Sequence, residues 1–155
     1  GWFGNAAVGF SYEGVAWFTG AAVMLAAAPP APVVALAVLY SIGAHGIMTL
    51  NDFKAIEGDL KMGVRSLPVQ LGPDLAARVA CAVMTAPQAV VVAGLLVYGK
   101  VVHAAIVAAL VVAQFLLMPR FLADPRAQAP WYNGTGIVFY VLGMLVAAFA
   151  VRSIS

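Results

Sequence analysis

The chain has 155 residues, 64% of them hydrophobic and only 9% charged, with a formal net charge of +2. A soluble domain carries about 25% charged residues, so this composition cannot clothe a water-exposed surface and predicts a membrane protein. A single cysteine, Cys81, excludes a disulfide framework within the chain and reads as a small core residue, and so small a net charge gives no footprint for nucleic acid.

The sequence opens at Gly1 with neither methionine nor a basic n-region, which predicts a piece of a longer protein rather than a signal peptide. Five apolar runs follow, over 15–28, 33–50, 75–98, 101–119 and 135–151. A membrane span needs about 20 apolar residues. The last four runs meet that length, and the residues from Ser11 to Gly14 can lengthen the first. Alternating strand patterns are missing, and lipid does not tolerate unpaired backbone, so the runs predict helices. The expected fold is all-α, a polytopic bundle of five transmembrane helices in a single domain. Abundant Ala and Gly permit close helix packing, and Pro87 predicts a kink in the third run. "APPAP" at 28–32 and "YGK" at 98–100 read as short turns, and "FLADPRAQAPWYNG" at 121–134 as a longer polar loop. The longest loop is 51–74.

Alternate loops fall on opposite sides. One side, with residues 1–13, 51–78 and 120–134, carries Lys54, Lys61, Arg65, Arg78, Arg120 and Arg126; the other carries Lys100 and Arg152. This asymmetry predicts that the 51–74 loop is cytoplasmic. All six acidic residues are expected on that same side, which the rule for Lys and Arg does not require and which points to a site. Trp2, Trp17, Trp131 and Tyr132 lie near expected span ends and read as aromatic-belt anchors. Asn133-Gly134-Thr135 fits a glycosylation acceptor but falls on the expected cytoplasmic side.

"NDFKAIEGDLKMGVRSLP" at 51–68 is the one crowded stretch of charge. If the helix of 33–50 continues to about Asp59, positions seven apart differ by only about 20° around it. His45, Asp52 and Asp59 then share a stripe, with Ser41 and Thr49 close by and Glu57 on the opposite face. A polar stripe on an apolar helix must face a cavity or other helices, because a charge in the bilayer costs at least about 2.5 kcal/mol. Asp52 and Asp59 would be about 10.5 Å apart along that helix, too far for one magnesium ion with ligands at about 2.0–2.1 Å. They would serve two ions, or one ion through water. Lys54, Lys61 and Arg65 supply cations for phosphate oxygens. Carboxylates beside cations at a membrane surface suit a metal-bound diphosphate; a solvated loop with ordinary interfacial charges is the plainer alternative.

"EGDLKMGVRSLPVQLG" at 57–72 resembles the second aspartate-rich motif of the UbiA superfamily of intramembrane prenyltransferases. The wider "HGIMTLNDFKAIEGD", together with "GWFGNAAVGFSYEGVAWFTGA" at 1–21, is similar to the chlorophyll and bacteriochlorophyll synthase branch, and "SYEG" and "HGIMTLNDFKA" lean toward its bacterial, bacteriochlorophyll-forming members. The pattern departs at Ala55, where many members carry the first aspartate of a DxxxD pair; Asp52, one turn earlier, is the expected substitute. "NDFKAIEGD" also half-fits the family's first motif, NDxxDxxxD, with Ala55 breaking it; the following "GVRSLPV" favours the second motif, so the first is expected to be missing from the chain. The resemblance implies a fold of about nine helices, of which these are the last five, so that the missing N-terminal helices are an expected partner alongside membrane lipid. It implies Mg2+ held at Asp52, Asp59 and Glu57, with Asp52 and Asp59 as catalytic residues. The prenyl diphosphate would lie against Lys54, Lys61 and Arg65, and Asn51, His45 and Ser66 would line the substrate cavity. The implied reaction passes a geranylgeranyl or phytyl group to the propionate carboxylate of bacteriochlorophyllide or chlorophyllide, in the inner membrane of a photosynthetic bacterium. A quinone precursor or haem as acceptor, and a non-catalytic scaffold or transporter segment, are the alternatives. For His45 a hydrogen bond inside the bundle competes with substrate contact or ligation of the macrocycle's metal, and His103 reads as an interfacial residue.

Overall fold

Proline and glycine set many of the boundaries of this chain's helices. The computed structural model describes residues 1–152. Its elements in order are α1 (Trp2–Gly9), a π-helical stretch (Phe10–Val15), α2 (Ala16–Leu25), α3 (Ala31–Asp52), α4 (Ile56–Met62), α5 (Leu67–Leu71), α6 (Pro73–Val97), α7 (Val101–Ala123) and α8 (Pro125–Val151). Prolines occupy the first or second position of α3, α5, α6 and α8, where the missing N–H is one the helix could not use and the ring fixes φ in advance. Gly63, Gly72 and Gly99 have φ of +69°, +76° and +70° and reverse the chain after α4, α5 and α6.

Four helices, α3, α6, α7 and α8, are long and apolar enough to cross a membrane. The first expected span differs. Its α-helical part is only Ala16–Leu25, but the π-helical stretch joins it without a break to α1. The helical run therefore starts at residue 2 rather than 15 and measures about 35 Å at 1.5 Å per residue.

α3 is the central element, packed against α1, the π-helical stretch, α6 and α8, while α6 packs on α7 and α7 on α8. Small residues set these approaches. A Cβ on Gly46 would lie 2.6 Å from the Ala80 carbonyl of α6, so α3 and α6 meet backbone to backbone there. The core runs through Tyr40, Leu50, Met84, Val107, Phe121 and Tyr140. Cys81 is buried, as its apolar surroundings predict.

Several expectations change. The loop expected over 121–134 is a helix: α7 runs to Ala123, Asp124 accepts a hydrogen bond from the Ala127 N–H at 3.2 Å, and Pro125 starts α8. A capping aspartate followed by proline is a helix start, and Pro130 is carried within the helix. Tyr132 is no belt anchor; it is fully buried and stacked on Phe121 at 4.9 Å. Trp17 is also a packing residue, stacked with Tyr40 at 6.2 Å and donating to Met144 Sδ at 3.4 Å. Trp131, half-buried, carries the Arg120 guanidinium 4.1 Å from its ring centroid. Finally, Glu13 does not join the other acidic residues at one end of the bundle. Its neighbour Gly14 lies against Ser41 in the middle of α3, a Cβ there falling 2.8 Å from Ser41 Oγ. The π-helical stretch therefore holds Glu13 level with the helix centre.

Candidate functional site

α3 ends at Asp52 and the chain turns over 53–55 before α4 begins. Two buried apolar side chains hold this turn down. Phe53 meets Phe121 of α7 edge to face at 5.9 Å, and Ile56 sits in the core. The backbone tightens through hydrogen bonds from Lys54 N to Asn51 O at 3.3 Å and from Ala55 N to Asp52 O at 3.0 Å. The expected continuous helix to Asp59 is therefore absent, and with it the single stripe of His45, Asp52 and Asp59. Burying Phe53 and Ile56 together outweighs extending the α3 ladder.

Asp52 is half-buried, and two groups converge on the end of α3. Asn5 of α1, itself buried, donates from Nδ2 to Asp52 Oδ2 at 2.9 Å and to Thr49 Oγ1 at 3.3 Å. Thr49 in turn donates to the His45 carbonyl at 3.0 Å. On the other flank Asn133 of α8 donates to Asn51 Oδ1 at 3.0 Å, so Asn51 ties α3 to α8 rather than standing free in a cavity. Asn5 was not singled out in the sequence; its signal is a lone amide among Trp2, Phe3, Ala6, Ala7 and Val8.

Asp59 and Glu57 lie on α4, Asp59 half-buried and Glu57 exposed. The Asp59 carbonyl accepts from Val64 N at 2.8 Å, closing α4 over Gly63. Lys54, Lys61 and Arg65 are exposed. Gln70 Nε2 donates to the Arg65 carbonyl at 2.5 Å, and Gly1 packs against that same carbonyl, where a Cβ would fall 2.6 Å away. The start of α1 thus meets Arg65 and α5 at the end of the bundle that holds Asp52. Ser66 is buried at the start of α5, its Oγ without a hydrogen-bond partner.

His45, two turns before Asp52 on α3, is buried and stacked against Trp2 with centroids 5.4 Å apart and planes at 30°. Its Nδ1 is enclosed and makes no hydrogen bond. Thus the expected side-chain hydrogen bond within the bundle is not made through Nδ1. The ring lines an apolar cavity of about 500 Å³ together with Trp2, Phe3, Phe10, Ile42 and Val83.

Among the described residues no three His, Cys, Asp or Glu side chains gather as a ready-made metal cage. The donors nonetheless suit magnesium. Carboxylate oxygens are hard ligands, and magnesium is usually held by one or two carboxylates, waters and the phosphates of a substrate. Asp52, with one oxygen on Asn5 and the other not engaged by it, offers such a contact.

No family model matches the chain, and no solved structure matches it. Among relatives, the chain is 57% identical over 99% of its length to the bacteriochlorophyll synthase 33 kDa chain of Cereibacter sphaeroides, covering 51% of that protein. It is 48% identical over 99% of its length to the 34 kDa chain of Chloroflexus aurantiacus, covering 49%. The chloroplastic chlorophyll synthase of Avena sativa is 39% identical over 97% of the chain, which covers 39% of it. Over its whole length the chain matches the chlorophyll and bacteriochlorophyll synthase branch, and it spans about half the length of the bacteriochlorophyll synthases in that branch.

Proposed function

We propose that this chain is the C-terminal part of a bacteriochlorophyll synthase, an intramembrane prenyltransferase that esterifies the propionate carboxylate of bacteriochlorophyllide with the prenyl group of a prenyl diphosphate. The observation that carries this reading is the placement of Asp52. A half-buried carboxylate, held by Asn5, stands where the apolar bundle meets a segment bearing Lys54, Lys61 and Arg65. The high identity to proteins named bacteriochlorophyll synthase supports it.

The chemistry asks little of a general base. The acceptor carboxylate is ionised at neutral pH, so an oxygen of it attacks C1 of the prenyl group directly. The C1–O bond breaks, the ester C–O bond forms, and diphosphate leaves with the bonding electrons. The barrier lies in charge building on the leaving group. Magnesium, when bound, neutralises part of that charge. Asp52 is the residue that would hold it, with Asp59 and Glu57 as further carboxylates on α4. Lys54, Lys61 and Arg65 bind the diphosphate oxygens, Arg65 through its two-pronged guanidinium. The apolar cavity beside His45 and Trp2 takes the macrocycle and keeps water from a forming allylic cation.

The basic residues at the Asp52 end, Lys54, Lys61, Arg65, Arg78, Arg120 and Arg126 against Lys100 and Arg152, support a cytoplasmic site in the inner membrane of a photosynthetic bacterium. The deciding assay supplies the full-length protein with geranylgeranyl diphosphate, magnesium and either bacteriochlorophyllide or chlorophyllide. Esterified bacteriochlorophyllide is expected as the main product. Chlorophyllide as the better acceptor would move the chain to the other side of its branch, and no ester from either would sink the reading.

A further inference from the structure

We propose that Asn5 is a positioning residue that holds the Asp52 carboxylate in the orientation in which it receives a divalent cation. The inference rests on the reading of Asp52 given above. It begins with an oddity of α1. Asn5 is 8% exposed on a helix whose other residues are apolar or small, where an amide without partners costs free energy and Ala or Leu would not.

The amide has partners, and their chemistry fixes which way it points. Thr49 Oγ1 gives its proton to the His45 carbonyl at 3.0 Å, so toward Asn5 its oxygen can only accept. Ionised Asp52 has no proton to give. Both groups facing Asn5 are acceptors, at 3.3 and 2.9 Å, so the NH2 end must face them. Reversing the amide would set three oxygens against one another.

This bond constrains a carboxylate that would otherwise turn freely. Asp52 is the last residue of α3, at the point where the chain leaves the helix. The preceding side chain, Asn51, is tied separately to α8 by Asn133 at 3.0 Å. Asn5 occupies Oδ2 and leaves the lone pairs of Oδ1 to a cation. Residues that orient a metal ligand in this manner are commonly worth about ten- to a hundredfold in metal affinity.

A simple tie between α1 and α3 would also use such a bond, so the test must read the metal. In the full-length protein, binding of geranylgeranyl diphosphate is titrated with magnesium for wild type, Asn5→Ala, Asp52→Asn and the double variant. Asn5→Ala should raise the half-saturating magnesium concentration about ten- to a hundredfold and leave the residual metal-free binding as it was. In the Asp52→Asn background the same change should add nothing. Asn5→Leu keeps the size but offers Asp52 no donor, and it should weaken magnesium binding at least as much. It also serves if the alanine variant does not fold. Unchanged magnesium dependence in a folded Asn5 variant, or an equal loss with and without the Asp52 carboxylate, would show Asn5 to be a structural tie only. Magnesium dependence untouched by Asp52→Asn, in a protein that still transfers prenyl groups, would overturn this inference and keep the activity.

Discussion

The Tyr140 hydroxyl donates a hydrogen bond to the Tyr40 carbonyl at 2.6 Å, joining α8 to α3 in the middle of the bundle. The two rings meet edge to face at 5.4 Å, and both side chains are almost fully enclosed. Gly43, one turn after Tyr40, makes room for this: a Cβ there would collide with the Tyr140 hydroxyl. Overpacking a close-packed interior costs about 1–3 kcal/mol, whereas losing one hydrogen bond costs about 0.5–1.5 kcal/mol. Gly43→Ala should therefore lower the thermal midpoint in detergent more than Tyr140→Phe does. The reverse order would mean that the hydroxyl, and not the close approach, holds α3 to α8.

Gln88 of α6 and Gln114 of α7 exchange two hydrogen bonds, at 3.1 and 3.0 Å, with both side chains fully buried. Each amide carbonyl accepts from the other's NH2, so removing one glutamine leaves the other's buried carbonyl without that donor, while its NH2 keeps only a backbone acceptor on its own helix, Met84 O at 2.9 Å for Gln88 or Leu110 O at 3.5 Å for Gln114. That costs about 1–3 kcal/mol, while replacing both by apolar groups of similar shape is nearly neutral. Gln88→Leu or Gln114→Leu alone should thus destabilise the bundle, and the double variant should recover most of the loss. A double variant at the sum of the two singles would show that the pair acts on something other than each other.

Much of the architecture was legible because lipid leaves few choices. Runs of Ala, Val and Leu with no strand alternation must be helices, and α3, α6 and α7 fall close to where hydropathy puts them. The misses share a cause. Leaving α3 at Asp52 requires no Gly or Pro in 53–55, because Phe53 finds Phe121 and Ile56 finds the core, and such tertiary contacts leave no local mark. The α8 start at Pro125 was misread for the opposite reason. "ADPRAQAP" looks like a loop by composition, although Asp-Pro is equally a cap and first turn. In the candidate site, the crowding of Asp52, Lys54, Lys61 and Arg65 is visible as charge, but charge alone suits a solvated loop equally well, and it is the resemblance of 57–72 and of the residues just before it that singles these residues out. Asn5 could not be singled out in either way, since its partner lies 47 residues away.

The break between α3 and α4 changes what the acidic residues should do. On one continuous helix, Asp52 and Asp59 would act as equals and Glu57 would face away. With α4 a separate, short helix, Asp52 is the carboxylate fixed to the bundle, whereas Glu57 is exposed on α4. Asp52→Asn should reduce prenyl transfer by the full-length protein by at least about a hundredfold, the scale of losing one preorganised electrostatic group. Asp59→Asn should fall next, and Glu57→Gln should stay within a few-fold of wild type. Initial rates at saturating magnesium decide the order, and equal losses at all three would restore a symmetric acidic cluster.

The last prediction concerns the chain of 155 residues by itself. It spans about half the length of the bacteriochlorophyll synthases that it matches. Among its described residues the carboxylates around Asp52 form no three-ligand group, and Lys54, Glu57, Lys61 and Arg65 are exposed. A diphosphate bound only there would remain in contact with water, where each cation's attraction is screened over about 10 Å at 0.1 M salt. Two unit charges 4 Å apart attract by only about 1 kcal/mol in bulk water, and several times more in a site closed to it. Residues 1–155 purified in detergent should therefore give no measurable esterification of bacteriochlorophyllide with geranylgeranyl diphosphate and magnesium. Co-expression with the other half of the full-length protein should restore it. Robust turnover by the chain on its own would mean that Asp52, Lys54, Lys61 and Arg65 already form a complete site, and that water is excluded by the substrates rather than by any other part of a longer protein.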